Sequence, residues 1–178
     1  MFLLYFSWVC LVLMSLSLLY LIGFTIWEVA SFILRRPRFT KWQQKRDEEV
    51  ATEMAGLINR SKQSIRIVTD GLPSIWGDSQ IEFALQEAAK RMGSGNIRVI
   101  VAPEIAQENP LREYAKSQLI TLDLSKSRPK RYFAVSDWQN LIVNPKTNWF
   151  KSGRNVRFAG ETLLGEFTQL ELFSQTVR

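Results

Sequence analysis

RPKRYFAVSDWQNLIVNPKTN, residues 128–148, contains two apolar runs, RYFAVSD and QNLIVN, that meet at Asp137 and Trp138. Aromatic and β-branched residues fill both runs, and so short a join predicts a tight hairpin of two antiparallel strands. Upstream the pattern changes. DEEVATEMAGLINRS (47–61) places Val50, Met54, Leu57 and Ile58 at helical spacing, with acids in the first turn, where the helix dipole favours them. SIRIVTDG (64–71) is a short strand, and SQIEFALQEAAKRMGSG (79–95) a helix with Ser79 as N-cap and a glycine stop. NIRVIVAPE (96–104) is almost continuously apolar, as expected of a strand covered on both faces.

ENPLREYAKS (108–117) has proline in a first helical turn, and QLITLDL (118–124) is a further strand. After the hairpin, PKTNWFKSGRN (145–155) reads as a polar loop and VRFAG (156–160) as a short strand. ETLLGEFTQLELFSQ (161–175) closes the chain as a helix burying Leu163, Leu164, Phe167, Leu170 and Phe173. Helices alternating with strands and ending in a hairpin define an α/β domain, a mixed β-sheet flanked by helices.

The N-terminal part obeys a different rule. Residues 2–27 carry no charge and are almost wholly apolar, longer than the roughly 20 residues that cross a bilayer as a helix. No basic residue precedes the run, which is too long for a secretory leader. The expected organisation is one N-terminal transmembrane helix (1–34), a basic juxtamembrane collar (35–46) and the α/β domain (47–178). Arg35, Arg36, Arg38, Lys41, Lys45 and Arg46 all follow the span, which places the N terminus outside and the domain in the cytoplasm, as in a bacterial inner membrane. Their plainest partner is anionic membrane lipid. Cys10, the sole cysteine, lies within the span, so no intrachain disulfide forms.

The chain carries 23 basic and 17 acidic residues, a net charge of +6, most of it in the collar. Within the domain the charge is polarised: residues 126–157 hold eight basic residues against Asp137 alone.

The order of elements in 48–178 resembles one repeat of the phospholipase D superfamily. SIRIVTDG resembles the opening strand of such a repeat, ALQEAAKRMGSGNIRVIV its helix-strand unit, and VRFAGETLLGEFTQLELF its closing segment. Residues 128–148 resemble its signature hairpin, H-x-K-x(4)-D followed by Gly-Ser and Asn. Aligned on the aspartate, Asp137 occupies the motif's Asp, Lys130 its histidine and Tyr132 its lysine. Asn144 and Pro145 replace the Gly-Ser pair, and Asn148 falls on the later Asn.

The resemblance implies a fold without the chemistry. Enzymes of that superfamily attack a phosphodiester with a histidine and protonate the leaving group with a second one, and this chain has no histidine at all. A lysine at 130 is protonated near neutrality and does not attack. The expectation is a catalytically degenerate, membrane-anchored module for binding or scaffolding. Arg128, Lys130, Arg131, Tyr132, Asp137, Lys146 and Asn148 are its candidate phosphate-binding residues. The lone repeat implies a homodimer or a partner phospholipase D-like repeat. One alternative is a membrane-tethered nucleic-acid-binding protein, since Trp138, Trp149 and Phe150 lie among the cations. Another is a phosphodiesterase or nuclease subunit completed by a catalytic partner.

No zinc set or other metal site is expected without histidine, and no cofactor. A phosphate-cradling G-x-x-x-x-G-K-[ST] loop is also absent. Asp70 and Asp78 flank a Gly-Leu-Pro-Ser-Ile-Trp-Gly loop that turns and caps explain.

Overall fold

The computed structural model describes residues 2–34, 38–41, 43–138, 140–146 and 149–176, the side chains of 2–13, 31–34, 144–146 and 149 excepted. The chain divides into two compact units, residues 1–36 and 37–178.

The first unit is helix α1 (Phe2–Leu34). Every side chain described in it, residues 14–30, is exposed, including Leu16, Leu19, Phe24, Ile26 and Trp27. Its polar groups turn inwards: Ser17 donates to the Met14 carbonyl and Thr25 to the carbonyls of Leu21 and Ile22. Among the described residues no helix is long and apolar enough to cross a membrane.

In the second unit a mixed sheet lies between two helical layers. Strands β3 (Ile65–Thr69), β4 (Ile97–Val101) and β5 (Thr121–Ser125) run parallel. Strands β6 (Tyr132–Ser136), β7 (Asn140–Lys146) and β8 (Trp149–Arg154) continue antiparallel beyond β3. Strand β9 (Ser174–Thr176) closes the other edge on β5. Two short strands, β1 (Arg38–Phe39) and β2 (Gln43–Gln44), pair in succession with β8.

Alternation along the strands sorts the core into two faces. Ile65, Ile67, Ile97, Val99, Leu122, Ala134, Ile142 and Phe150 pack against α2 (Asp47–Arg60), α3 (Pro73–Trp76), α4 (Ser79–Met92) and α5 (Pro110–Lys116). On the opposite face, Val68, Ile100, Phe133, Val135 and Leu141 meet α6 (Arg157–Leu172) through Leu163 and Phe167.

Several sequence expectations change. The N-cap of α4 is Asp78, whose carboxylate accepts from Gln80 N at 2.8 Å, one residue before the predicted Ser79. Residues 149–154, expected in a polar loop, form β8 because the chain from 38 to 44 pairs with its outer edge. Most of VRFAG is the first turn of α6 rather than a strand, with only Val156 ahead of the helix and buried. The closing helix ends at Leu172, so Phe173 is exposed and 174–176 turn into β9. Part of the predicted collar belongs to the domain: Lys45 pairs with Glu53 at 3.1 Å and stacks over Phe150.

The hairpin turn joins the two layers. Asp137 and Trp138 both take left-handed backbone, φ 50° and 66°. The Asp137 carboxylate accepts from the amides of Lys62, Gln63 and Ser64 at 2.7, 2.9 and 3.0 Å, while Asp137 N donates to Ser64 O. On the other side, the Trp138 carbonyl lies so close to Gly160 of α6 that a Cβ there would collide with it. Only glycine allows this approach. Replacing Asp137 with alanine orphans three amides, so Asp137→Ala should cost about 2 kcal/mol in a denaturant titration. An unchanged midpoint would rule out the clasp.

Candidate functional site

Three parallel strands end together. β3 leads into Asp70, β4 into Ala102 and β5 into Lys126, while antiparallel β6 starts at Tyr132 on the same edge. Beyond these ends opens a cleft of about 390 Å³ lined by Asp70, Ala102, Pro103, Glu104, Lys126, Ser127, Arg128 and Tyr132. Ligands of open α/β sheets bind at the carboxyl ends of their strands, which makes this cleft the candidate site.

Its charges are mixed: two carboxylates, Asp70 and Glu104, face two cations, Lys126 and Arg128. The Tyr132 phenol beside Arg128 holds its guanidinium above the usual range, with the carboxylates of Glu104 and Asp70 reinforcing the shift. The cleft therefore offers cationic donors and a phenol beside carboxylate acceptors.

Behind the cleft a buried network holds the β3 exit. Thr69 Oγ1 accepts from Trp76 Nε1 and from Gly71 N, both at 3.1 Å. Asn109 Nδ2 donates to Gly71 O at 2.6 Å, and Tyr114 Oη donates to Trp76 O at 2.7 Å. These bonds fix residues 69–71, and with them the backbone that carries Asp70.

The sequence-predicted site residues are distributed unevenly. Arg128 and Tyr132 reach the cleft. Lys130 and Arg131 line an adjoining hollow of about 420 Å³ against α6, which shares Ser127 and Arg128 with the cleft and where Arg131 pairs with Glu166 at 2.7 Å. Asp137 sits at the opposite end of β6, its carboxylate filled by the backbone clasp. Pairing of Asn144 with Tyr132 brings the end of β7, which includes Lys146, to the cleft's side of the sheet. Asn148, Arg35, Arg36 and the Lys146 side chain lie outside the described residues. Of the other collar residues, Lys41 is exposed, Arg46 pairs with Glu49 at 3.4 Å, and Arg38 lines a pocket within the domain. Sequence spacing missed Asp70 as a site residue, and also Glu104 and Lys126. The signal for all three is that each lies at or just beyond the end of a parallel strand.

This architecture is the phospholipase D fold. It is similar to the crystal structure of Nuc, a phospholipase D family member from Salmonella typhimurium. The TM-score is 0.63 at 14% identity, over 80% of this chain and 99% of that one. NucT from Helicobacter pylori matches with TM-score 0.57 at 9% identity, over 78% of this chain and 98% of that one. TrmBL2, an archaeal chromatin protein whose structure shows a novel mode of DNA binding, matches with TM-score 0.56 at 10% identity, over 96% of this chain and 67% of that one. No protein-family model matches the sequence, and no curated protein does.

Burial and the nearby carboxylates Glu82, Glu113 and Asp78 push the Tyr114 hydroxyl up to about 12 from 10. Above pH 10 the unfolded chain loses this proton while the folded chain keeps it, so stability falls between pH 10 and about 12. Tyr114→Phe should flatten this alkaline limb in urea titrations across that window. A limb of unchanged slope would show that the buried hydroxyl does not titrate in this way.

Proposed function

We propose that this chain is a membrane-anchored phospholipase D-fold module that binds a phosphate-containing ligand without hydrolysing it. The observation that carries this reading is the cleft at the strand ends, where Lys126, Arg128 and Tyr132 converge in a chain that has no histidine. Cationic donors suit phosphate oxygens. Asp70 and Glu104 beside them suit a ligand that also carries hydroxyl or amino donors, such as a sugar, glycerol or aminoalcohol phosphodiester.

Anchoring is supported by the uncharged run 2–27, the uninterrupted helix through Leu34, the outward apolar side chains of 14–30 and the hydroxyls turned onto carbonyls. The basic residues that follow favour a cytoplasmic domain. A homodimer, or pairing with a second phospholipase D-like chain, follows from the resemblance of residues 48–178 to one such repeat.

Nucleic acid is the second reading, favoured by the similarity to TrmBL2 and by the eight cations of 126–157. It requires binding that weakens steeply with salt and ignores base sequence.

The test is binding of glycerophosphodiesters and of single-stranded DNA by the full-length chain in neutral detergent at two salt concentrations. Lys126→Ala with Arg128→Ala should weaken binding at least tenfold. Lys130→Ala with Arg131→Ala, in the hollow outside the cleft, should weaken it less. Loss in the second pair alone would move the site to α6. Alkaline extraction that releases the chain from membranes would remove the anchor.

A further inference from the structure

A second pocket, of about 250 Å³, opens where the chain from α1 first enters the domain. Its walls come from β1, α2, β7 and β8, and three arginines line it: Arg38, Arg60 and Arg154. Arg38 and Arg154 are direct cross-strand partners in the antiparallel β1–β8 pair. Like charges placed directly opposite each other cost stability. Arg60 reaches the same pocket from the last turn of α2, its guanidinium folded back over Gly56, where a Cβ would stand 3.2 Å from Nη1. Burial, and then the charge of Arg154, hold Arg60 below its usual range. Glu53 is the one carboxylate on the wall among the described residues, and it is engaged by Lys45 at 3.1 Å. Leu57, Leu141 and Ile142 supply apolar lining, while Thr40 and Ser152 add hydroxyls.

Three cations around one hollow, two of them in cross-strand register, repel each other unless an anion lies between them. We infer that this pocket is a phosphate-group site, separate from the strand-end cleft, for a tetrahedral phosphate that is either a lipid headgroup or free in solution. Guanidinium forks match phosphate oxygens in pairs, and the threonine and serine hydroxyls supply further donors. Along the chain β1 follows α1 after residues 35–37, and on the anchor reading a lipid headgroup is one source of the phosphate. The pocket itself needs no anchor to bind free phosphate.

The test is calorimetric titration of the full-length chain in uncharged detergent, in a Lys126→Ala, Arg128→Ala background that silences the cleft. The probes are inorganic phosphate, short-chain phosphatidic acid and short-chain phosphatidylcholine. Phosphate or phosphatidic acid should bind, and phosphatidylcholine, its phosphate masked by choline, should not. Arg60→Gln and Arg154→Gln should each weaken binding about tenfold. Glu53→Gln, which removes the only carboxylate, should tighten it, a gain that a misfolded variant would not show. Binding of phosphatidic acid alone assigns the site to lipid, and binding of both assigns it to the phosphate group. Failure of both ligands, affinity unchanged in Arg60→Gln and Arg154→Gln, or weaker binding in Glu53→Gln overturns the inference. None of these outcomes bears on the cleft.

Discussion

Two residues of one turn hold the layers of this domain together. Asp137 takes the three amides that end the α2–β3 connection, and the carbonyl of Trp138 sets how closely α6 can approach the other face. Both residues accept left-handed backbone, a cost that aspartate bears more easily than tryptophan. In return the turn positions β6 between both helical layers, with its first residue, Tyr132, at the cleft. Asp137 thus serves the architecture, with its carboxylate filled by backbone amides. Asp137 and Tyr132 lie at opposite ends of the same strand, so the clasp stands apart from the cleft.

The basic segment 126–157 reads along the sequence as one cationic surface, but the fold divides it. Lys126 goes to the cleft, Arg128 to the border between cleft and hollow, Lys130 and Arg131 to the hollow under α6, and Arg154 to the pocket beside β1. Lys151 stacks on Phe39, and Arg157 pairs with Glu161. Near-neighbours in sequence reach different places because residues 126–131 form the connection from β5 to β6, and β6 to β8 turn back on one another. A net charge counted over a window therefore says little about the field at any one site.

The parallel strands and the amphipathic helices were readable because their burial is repetitive: Ile65 and Ile67, or Val50, Met54 and Leu57, announce one buried face by spacing alone. β8 was not. Among the described side chains of β8 Phe150 is the one large inward apolar residue, and the strand state comes from partners on both edges, one of them about a hundred residues earlier in the chain. VRFAG failed in the opposite direction, since β-branched and aromatic residues suggested a strand where Gly160 was needed for a helix to pass the Trp138 carbonyl. Of the cleft, Arg128 and Tyr132 were visible through the hairpin motif. Asp70, Glu104 and Lys126 come from three connections that only parallel register brings together, and no spacing within the chain encodes that.

The pairing of β1 with β8 also has a consequence for biosynthesis. Thr40 bonds to Ser152 across 112 residues, so the segment just after the apolar helix finds its partner only once those residues have been made. At roughly 5–20 residues per second, that interval is on the order of ten seconds. The hydrophobic helix leaves the ribosome long before the sheet can close its outer edge. Until then, β1 and β2 have no partner strand, so the outer edge of the sheet is completed only after β8 is made.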